Sequence, residues 1–263
     1  MAKQQRTITD VVRQIVASFP ETEEFISHGF PTFRVRGKIF AWYTINHHGD
    51  GRVALTMIAP PGAQAVFTTM RPTAYFVPPY VGPKGWLGIE LDKGLGWDAI
   101  RDHVREAYET VAPQSLIQAI ESDARVKPPT REFRPEEIDP FQGKFGKAVL
   151  KKLAAICAAL PETQPGTQFG SPVWKAGKKT FVVAHFYDGR LSMSFWVGAK
   201  RQNALIQDDR YHVSPYTGHN GWIDLDLHEQ QDWEEIKQLT LESYRHFALQ
   251  RMLKKLGEDE AGR

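Results

Sequence analysis

The sequence has a single cysteine, Cys157, among its 263 residues. One thiol cannot form a disulfide within the chain, and it excludes zinc sites that need several cysteines. The surrounding segment, LKKLAAICAAL, predicts a buried and unreactive side chain. No apolar run approaches the roughly 18 residues that a membrane-spanning helix needs, and the first residues lack the apolar stretch of a secretory signal. We therefore expect a cytoplasmic protein without a membrane partner.

Neither sign of charge is in large excess. The chain has 33 lysines and arginines against 31 aspartates and glutamates, and a formal net charge of +2. A dedicated nucleic-acid-binding domain usually has a pI above about 9 or a marked basic stripe. The overall charge therefore argues against tight nucleic-acid binding. A hydrophobic content of 41% is typical of a globular protein with a real core, and it excludes a disordered or fibrous chain.

One long phrase occurs twice in the chain. YFVPPYVGPKGWLGIEL begins at Tyr75, and YHVSPYTGHNGWIDLDL begins at Tyr211, 136 residues later. Nearer the start, Pro31 returns as Pro172, a displacement of 141, so the second copy is five residues shorter between these points. A repeat of about 120 residues is the size of a domain and exceeds the roughly 20–50 residues of solenoid units. We predict two duplicated domains, residues 1–122 and 143–263.

The segment between the copies, residues 123–142, has a different composition. It contains four prolines among charged residues and has little apolar periodicity. Such a segment favours extended, semi-rigid backbone. We predict that residues 123–142 are a linker.

Each copy shows the same order of secondary-structure patterns. An apolar helical pattern comes first and ends before Pro20 or Pro161. Strands rich in aromatic and β-branched residues follow, separated by glycine turns, and an amphipathic helix closes the copy. We predict an α+β fold in which each domain has an antiparallel sheet with helices packed on one face. The other face of the sheet would be open to solvent.

As a set, these motifs resemble the MmcQ/YjbR family. The resemblance rests on GFPTFRVRGKIFA from Gly29, YFVPPYVGPKGW from Tyr75 and WDAIRDHVREAYETVAP from Trp97, together with their second-copy counterparts. It covers essentially each whole domain and implies a CyaY-like fold with a double-wing arrangement. Members of the family are commonly labelled DNA-binding on the strength of that shape, so the resemblance implies DNA as a partner. Family members generally carry one such domain, and the tandem form departs from that pattern.

Basic residues in the predicted hairpins indicate a weak nucleic-acid surface. Arg34, Arg36 and Lys38 are two apart, so in one extended strand they would share a face over about 13 Å, enough for two or three phosphates. The alternative is a solvated hairpin edge, where basic side chains discourage aggregation. The candidate nucleic-acid-binding residues are Arg34, Arg36, Lys38, Lys84, Lys175, Lys178, Lys179, Lys200 and Arg201.

The repeated phrase contains the pattern P-Y-x-G-x-x-G-W. It is not a dinucleotide fingerprint, because no helix follows the glycines. Two interpretations stay open: a constrained turn that positions the next strand, or the lip of a ligand-binding groove. The candidate ligand-binding residues are Tyr80, Tyr216, His219 and Asn220.

The sequence has no recognisable catalytic or metal-binding motif. We find no G-x-S-x-G, no H-E-x-x-H and no P-loop. Asp224 and Asp226 lie on one face of a predicted strand, but acid–base catalysis also needs a pocket. The histidines near them, His212, His219 and His228, match no metal-ligand spacing. We expect no catalytic residues, no metal and no cofactor.

These observations lead to one hypothesis with two alternatives. The hypothesis is a non-catalytic binding protein that engages nucleic acid weakly through the open sheet face and the basic hairpins. The first alternative is a module that binds, sequesters or senses a small molecule in a pocket near the repeated phrase. The second alternative is a protein–protein adaptor, for which two domains supply two-point attachment.

Overall fold

The computed structural model describes residues 5–121 and 125–257. The chain divides into two compact units, Met1–Ile138 and Asp139–Arg263, here called domain 1 and domain 2. Each domain contains one six-stranded sheet, and every pair of neighbouring strands is antiparallel. The prediction of an α+β fold in two tandem domains is confirmed.

Domain 1 has five helices and six strands among its described residues. The helices are α1 (Ile8–Ala17), α2 (Ala63–Met70), α3 (Trp97–Val111), α4 (Gln114–Gln118) and α5 (Pro135–Ile138). The strands are β1 (Thr22–Ser27), β2 (Phe30–Val35), β3 (Lys38–Ile45), β4 (Val53–Met57), β5 (Tyr75–Phe76) and β6 (Leu87–Glu90). Their order across the sheet is β1-β2-β3-β4-β6-β5.

Domain 2 repeats this arrangement. The helices are α6 (Lys144–Ala158), α7 (Gly198–Leu205), α8 (Trp233–Phe247) and α9 (Gln250–Lys255). The strands are β7 (Thr163–Gln168), β8 (Ser171–Ala176), β9 (Lys179–Tyr187), β10 (Arg190–Trp196), β11 (Tyr211–Val213) and β12 (Trp222–Asp226). Read from the opposite edge, the order β11-β12-β10-β9-β8-β7 is the same as in domain 1.

Local sequence sets the start and the apolar face of the first helix. Thr7 caps α1: its backbone N–H donates to Asp10 Oδ2 at 2.7 Å, and its hydroxyl accepts from the Asp10 N–H. This reciprocal capping box satisfies two donors that the first turn leaves unpaired. The buried positions of α1 recur every three or four residues and give the helix one apolar face. They are Ile8, Val11, Val12, Ile15 and Val16.

The helices pack on one face of each sheet, as predicted. In domain 1, Tyr108 of α3 is fully buried against Phe40, and its hydroxyl donates to the Pro20 carbonyl at 2.8 Å. In domain 2, Tyr244 of α8 takes the same place, and its hydroxyl donates to the Pro161 carbonyl at 2.8 Å. Each long closing helix is thus tied to the end of the helix that opens its domain.

The other face of the sheet is not open, so that expectation is wrong. Thr44 and Thr56 alternate along their strands with core residues, and therefore point away from the helices. They are only 5% and 3% exposed. The loop after β5 covers them, since Pro78 and Pro79 line a small pocket together with both threonines. We call this partly covered side the second face.

The segment predicted as a linker packs against the domains. Phe133 and Ile138 contact the core of domain 1, and Phe141 is buried in the core of domain 2. The backbone N–H of Thr130 donates to the Arg6 carbonyl at 2.8 Å. Residues 125–138 therefore complete domain 1. Residues 122–124, over which the predicted linker begins, lie outside the described residues.

Truncation tests the role of this segment and the independence of the domains. We expect fragment 139–263 to fold by itself, and fragment 1–138 to be more stable than fragment 1–122. The shorter fragment loses the apolar burial of Phe133 and Ile138 and the bond between Thr130 and Arg6, so its free energy of unfolding should fall by about 2–4 kcal/mol. Urea unfolding followed by circular dichroism measures this. Equal stability of 1–122 and 1–138, or an unfolded 139–263, would contradict the expectation.

Candidate functional site

The repeated phrase folds into the same loop in both domains. The N–H of Gly82 donates to the Pro78 carbonyl, and the N–H of Gly218 donates to the Ser214 carbonyl, both at 2.9 Å. A Cβ at these glycines would lie 2.4 and 2.2 Å from a valine methyl group, closer than real contacts allow. Only glycine fits there, which explains why the phrase keeps its glycine spacing.

A glutamine from the short helix anchors each loop. In domain 1, Gln64 Nε2 donates to the carbonyls of Gly82 and Trp86, at 2.9 and 2.5 Å. In domain 2, Gln202 makes the matching pair of bonds, at 2.8 and 2.7 Å. Gln202 is 8% exposed, so these bonds are shielded from water. The loop is held rigidly against the sheet in both copies.

An exposed tyrosine marks the rim of each loop. Tyr80 and Tyr216 are 69% and 68% exposed, and their φ angles are +64° and +65°. Bulky residues rarely adopt this left-handed conformation, and strain of this kind concentrates at functional sites. The Tyr80 hydroxyl lies 3.0 Å from His48 Nε2, and the Tyr216 ring lies 6.4 Å from the Tyr187 ring. These tyrosines are the two sequence-predicted ligand residues that lie beside the second face.

The second face of domain 1 is aromatic and almost filled. Trp42 stacks on Trp86 with ring centroids 4.7 Å apart. The remaining pocket has a cavity volume of about 10 Å³, the room of about one water molecule. Pockets that bind small molecules have roughly 300–1,000 Å³. Its lining residues are Trp42, Thr44, His47, Asp50, Thr56, Phe76, Pro78 and Pro79.

The second face of domain 2 carries ionisable groups at the same places. Strand register defines the equivalence: Thr56 lies opposite Gly88 in domain 1, and Ser194 lies opposite Asp224 in domain 2. Five of the seven changes introduce a polar or ionisable side chain, while Thr56 to Ser194 keeps a hydroxyl and Glu90 to Asp226 keeps a carboxylate. The matched pairs are Thr44 and His185, Ala54 and Ser192, Thr56 and Ser194, Phe76 and His212, Pro78 and Ser214, Gly88 and Asp224, and Glu90 and Asp226.

Asp224 is the buried centre of this polar group. It is 4% exposed, and its Oδ1 accepts from the Ser194 hydroxyl at 2.6 Å and from the Ser214 hydroxyl. His185 Nε2 lies 3.3 Å from its Oδ2 and 3.0 Å from Ser194 Oγ. Burial by itself would raise the pKa of Asp224, but His185 and the two hydroxyls outweigh burial and keep that pKa below its usual value. Asp224 is therefore a buried carboxylate anion.

A second histidine–aspartate pair lies beside the first. His212 Nε2 lies 2.8 Å from Asp226 Oδ2, and the Ser192 hydroxyl donates to Asp226 Oδ1 at 2.9 Å. The side chain of His212 is 33% exposed, against 15% for that of His185. Both pairs thus reach the surface through their imidazole rings.

Each histidine–aspartate pair leaves one imidazole nitrogen, Nδ1, without a partner in the described part of the chain. A carboxylate can only accept, so each histidine carries its proton on Nε2 and donates it to the aspartate side. The other ring nitrogen, Nδ1, has no hydrogen-bond partner among the described residues. A neutral imidazole held in this tautomer presents Nδ1 as an acceptor. In that neutral form, His185 and His212 can accept hydrogen bonds from a bound molecule.

The predicted alignment of Arg34, Arg36 and Lys38 on one strand face is wrong. Val35 ends β2, and Arg36 and Gly37 form a tight turn with φ angles of +48° and +77°. Arg34 pairs with Glu23 at 2.7 Å, and Arg36 pairs with Glu21. Two of the three basic charges are thus already neutralised within domain 1.

The equivalent hairpin in domain 2 keeps its positive charge. Lys175, Lys178 and Lys179 form no ion pair with any described residue. Gln164 lies opposite Lys175, where domain 1 has Glu23 opposite Arg34. The acidic partner of domain 1 has therefore been replaced by a neutral residue.

The remaining predicted residues do not come together in one site. Arg201 of α7 pairs with Glu242, and its neighbour Lys200 has no ion pair among the described residues. His219 Nε2 lies 2.9 Å from the side-chain amide nitrogen of Asn220. The backbone carbonyl of Asn220 accepts from Trp196 Nε1 at 2.9 Å. His219 and Asn220 are therefore tied into the end of the loop that leads to β12. Lys84 lies in the corresponding turn of domain 1, within Gly82–Lys84.

Sequence reasoning missed most of the polar group in domain 2. The sequence pattern predicted that Asp224 and Asp226 share a strand face, but we predicted no role for His185, Ser194 or Ser214. A signal was present in the repeat itself. Where two copies share a pattern, the positions at which one copy gains ionisable residues mark a difference in chemistry.

The described residues provide neither a metal-ion cluster nor a membrane-spanning helix. No group of three or more His, Cys, Asp or Glu side chains is placed to hold a metal ion within residues 5–121 and 125–257. Over the same ranges, every helix is too short or too polar to cross a lipid bilayer.

Comparison with known families decides the relationship of the chain. The YjbR family model matches residues 17–110 and 158–246, which together make up more than half of the sequence. The chain belongs to the YjbR family. The MmcQ/YjbR resemblance in two tandem copies is thus confirmed, and each matched region lies within one domain.

Two further comparisons concern individual proteins. The YjbR chain is similar to a solved structure described as the crystal structure of Deinococcus radiodurans protein DR2400, with a DUF419 domain. The two are 17% identical, the match covers 46% of this chain and 88% of that chain, and the TM-score is 0.36. None of the curated proteins compared with the chain matches it.

The second face of the first YjbR domain predicts a pH effect on stability. Burial lowers the pKa of His47 from 6.5 to about 4, so the folded state binds this proton less readily than the unfolded state. The stabilisation is complete above pH 6.5 and is lost as the pH falls from 6.5 towards 4. Allowing for partial exposure, the loss should be about 1–2 kcal/mol. Urea midpoints of domain 1 across this range measure it, and an unchanged pH slope in His47→Gln would contradict the assignment.

Proposed function

We propose that the protein is a non-catalytic binding protein whose second YjbR domain binds a small organic amine. The observation that carries the proposal is the pair of histidine–aspartate contacts on the second face. His185 and His212 each use Nε2 on an aspartate and leave Nδ1 as an acceptor. An ammonium or amine N–H is the complementary donor.

The charge of the face supports a donor-bearing ligand. Asp224 and Asp226 are largely buried carboxylates, so their charge attracts a cation more strongly than it would in water. The rings of Tyr187 and Tyr216 lie beside the pairs, since Tyr187 follows His185 by two residues on the same face of β9. Aromatic faces also attract organic cations.

The geometry does not resemble a catalytic triad. In such a triad the histidine uses one ring nitrogen for the serine and the other for the aspartate. Here His185 Nε2 faces both Ser194 and Asp224, and the serine hydroxyl donates to the carboxylate. Ser194 is therefore held as a structural hydroxyl, which supports binding rather than covalent catalysis.

A thermal unfolding experiment on the full chain tests this function. We expect n-butylamine to raise the melting temperature of domain 2, because a ligand that binds only the folded state stabilises it by mass action. Butyrate, which has no donor for the two histidines, should stabilise domain 2 less than n-butylamine does. In the variant H185Q/H212Q, glutamine can still donate to each aspartate but lacks the Nδ1 acceptor, and the affinity for butylamine should fall at least about tenfold.

A matched histidine outside the site supplies the control. His219→Gln changes an exposed histidine of the same domain whose side chain bonds to Asn220, and it should leave the butylamine effect unchanged. If butylamine gives no stabilisation, or if H185Q/H212Q responds as the unmodified protein does, the proposed function is wrong.

A specific observation also favours weak nucleic-acid binding as a second function. Lys175, Lys178 and Lys179 in the hairpin of domain 2 have no ion pair within residues 5–121 and 125–257, whereas Arg34 and Arg36 of domain 1 are neutralised by glutamates. Unpaired lysines on a hairpin can contact phosphates without sequence preference. The carboxylates on the second face make that face unsuitable for a phosphate backbone, so this function would use the hairpin edge. The adaptor hypothesis gains no specific support from the described residues.

Salt dependence distinguishes this second function. We expect the affinity for a duplex DNA to fall by about tenfold or more between ~50 and ~200 mM salt, because contacts with phosphates release counterions. Replacing Lys175, Lys178 and Lys179 with glutamine should abolish the binding, while R34Q/R36Q should change it little. Absence of DNA binding at low salt, or an affinity that does not change with salt concentration, would exclude the second function.

A further inference from the structure

An arginine occupies the same place in both domains but has different surroundings. Arg52 immediately precedes the first residue of β4, and Arg190 begins β10, opposite Tyr187 at the end of β9. Each lies on the second face at the end of the sheet beside the loop tyrosine. The two copies therefore provide an internal comparison for one side chain.

In domain 1 the arginine is fully engaged. Arg52 Nε donates to Glu90 Oε1 at 2.9 Å, and its guanidinium lies 4.4 Å from the centre of the Phe76 ring. A further contact of 3.5 Å joins it to Asp50. These partners satisfy its charge within the domain.

In domain 2 two of the three corresponding partners have changed, whereas Asp188 stands at the position of Asp50 and forms no ion pair with Arg190 among the described residues. Asp226 replaces Glu90, is one methylene shorter, and is already bonded to Ser192 and His212. His212 replaces Phe76, so the ring on which Arg52 lies is also gone. The side chain of Arg190 has no hydrogen bond, ion pair or ring contact with any described residue.

We propose that Arg190 binds a carboxylate of the ligand, so that the second YjbR domain takes a small amino acid with a separate ammonium and carboxylate group. This inference rests on the proposed function, in which the histidine–aspartate pairs take the amine. Arginine presents a planar fork of donors that matches a carboxylate with two parallel hydrogen bonds. The site thus has an anion-binding end at Arg190 and a cation-binding end at the two pairs.

The spacing on the sheet fits a ligand of a few carbon atoms. Arg190 and Ser192 are two residues apart on β10, a distance of about 7 Å between their backbones, and Ser192 contacts Asp226. The Tyr187 hydroxyl is protonated at neutral pH, because burial and its bond with Tyr216 raise its pKa to about 12. It can donate to a carboxylate that Arg190 holds if it gives up its bond with Tyr216.

Calorimetric titration of the full chain with matched probes tests the inference. The probes are glycine, β-alanine and 4-aminobutyrate, which vary the distance between the two charges, together with n-butylamine and butyrate. We expect one amino acid to bind at least about tenfold more tightly than n-butylamine. R190Q should remove that advantage while changing the affinity for butylamine by less than about twofold.

Two variants control the interpretation. R52Q removes the engaged arginine of domain 1 and should leave every affinity unchanged. R190K keeps the charge but lacks the planar fork, so it should recover only part of the amino-acid affinity. Because Arg190 has no partner in the described structure, R190Q should keep the unfolding midpoint of domain 2.

The failures of the two proposals are distinguishable. If butylamine binds through His185 and His212 but no amino acid binds more tightly, or if R190Q weakens all ligands equally, the assignment of Arg190 is overturned and the proposed function stands. If no probe binds, or if H185Q/H212Q binds all probes normally, both are overturned.

Discussion

The loop formed by the repeated phrase determines what the second face of each sheet can hold. Gln64 and Gln202 fasten this loop to the short helix through paired bonds to backbone carbonyls. With the loop in place, the middle of the second face is largely shielded from water. A polar group buried there is costly unless it has hydrogen-bond partners, and a buried charge needs several. That constraint accounts for both versions of the face.

The two YjbR domains meet the constraint in opposite ways. Domain 1 fills the space with rings, in which Trp42 stacks on Trp86 and Phe76 lies under the guanidinium of Arg52. Domain 2 replaces Phe76 and several small residues with two adjacent polar groups, one around Asp224 and one around Asp226, and each carboxylate has at least two partners. A satisfied polar network fixes side-chain positions, which a binding site requires. The duplication has thus kept one fold while the chemistry of the covered face diverged.

Much of the fold could be predicted from the sequence because its signals are local. Apolar spacing of three or four residues predicted the long helices, and glycine turns between β-branched runs predicted the central hairpins. Edge strand β7, with the sequence TQPGTQ, gave no such signal. It is a strand because β8 pairs with it along its whole length, and such pairing is not encoded in the propensities of its own residues.

The candidate site was harder to predict because it, like β7, depends on how strands pair. Its residues come from strands β9, β10 and β12, the short strand β11 and the loop that follows, and sheet order rather than sequence distance brings them together. His185 lies 39 positions before Asp224 in the sequence, yet its Nε2 is 3.3 Å from that carboxylate. The prediction that Arg34, Arg36 and Lys38 share one strand face was wrong because a turn at Arg36 separates Arg34 from Lys38. Beyond the shared strand face of Asp224 and Asp226, the comparison of one copy with the other carried the information about the site.

The central claim is that His185 and His212 are held by aspartates through Nε2 and present Nδ1 to a ligand. Nitrogen-15 NMR of the imidazole rings at about pH 7 reports the protonation state of each ring nitrogen directly. The account predicts that both histidines carry the proton on Nε2 and that both Nδ1 signals shift when n-butylamine is added. Protonated Nδ1 atoms in the unliganded protein, or Nδ1 signals that do not shift when n-butylamine is added, would contradict the account.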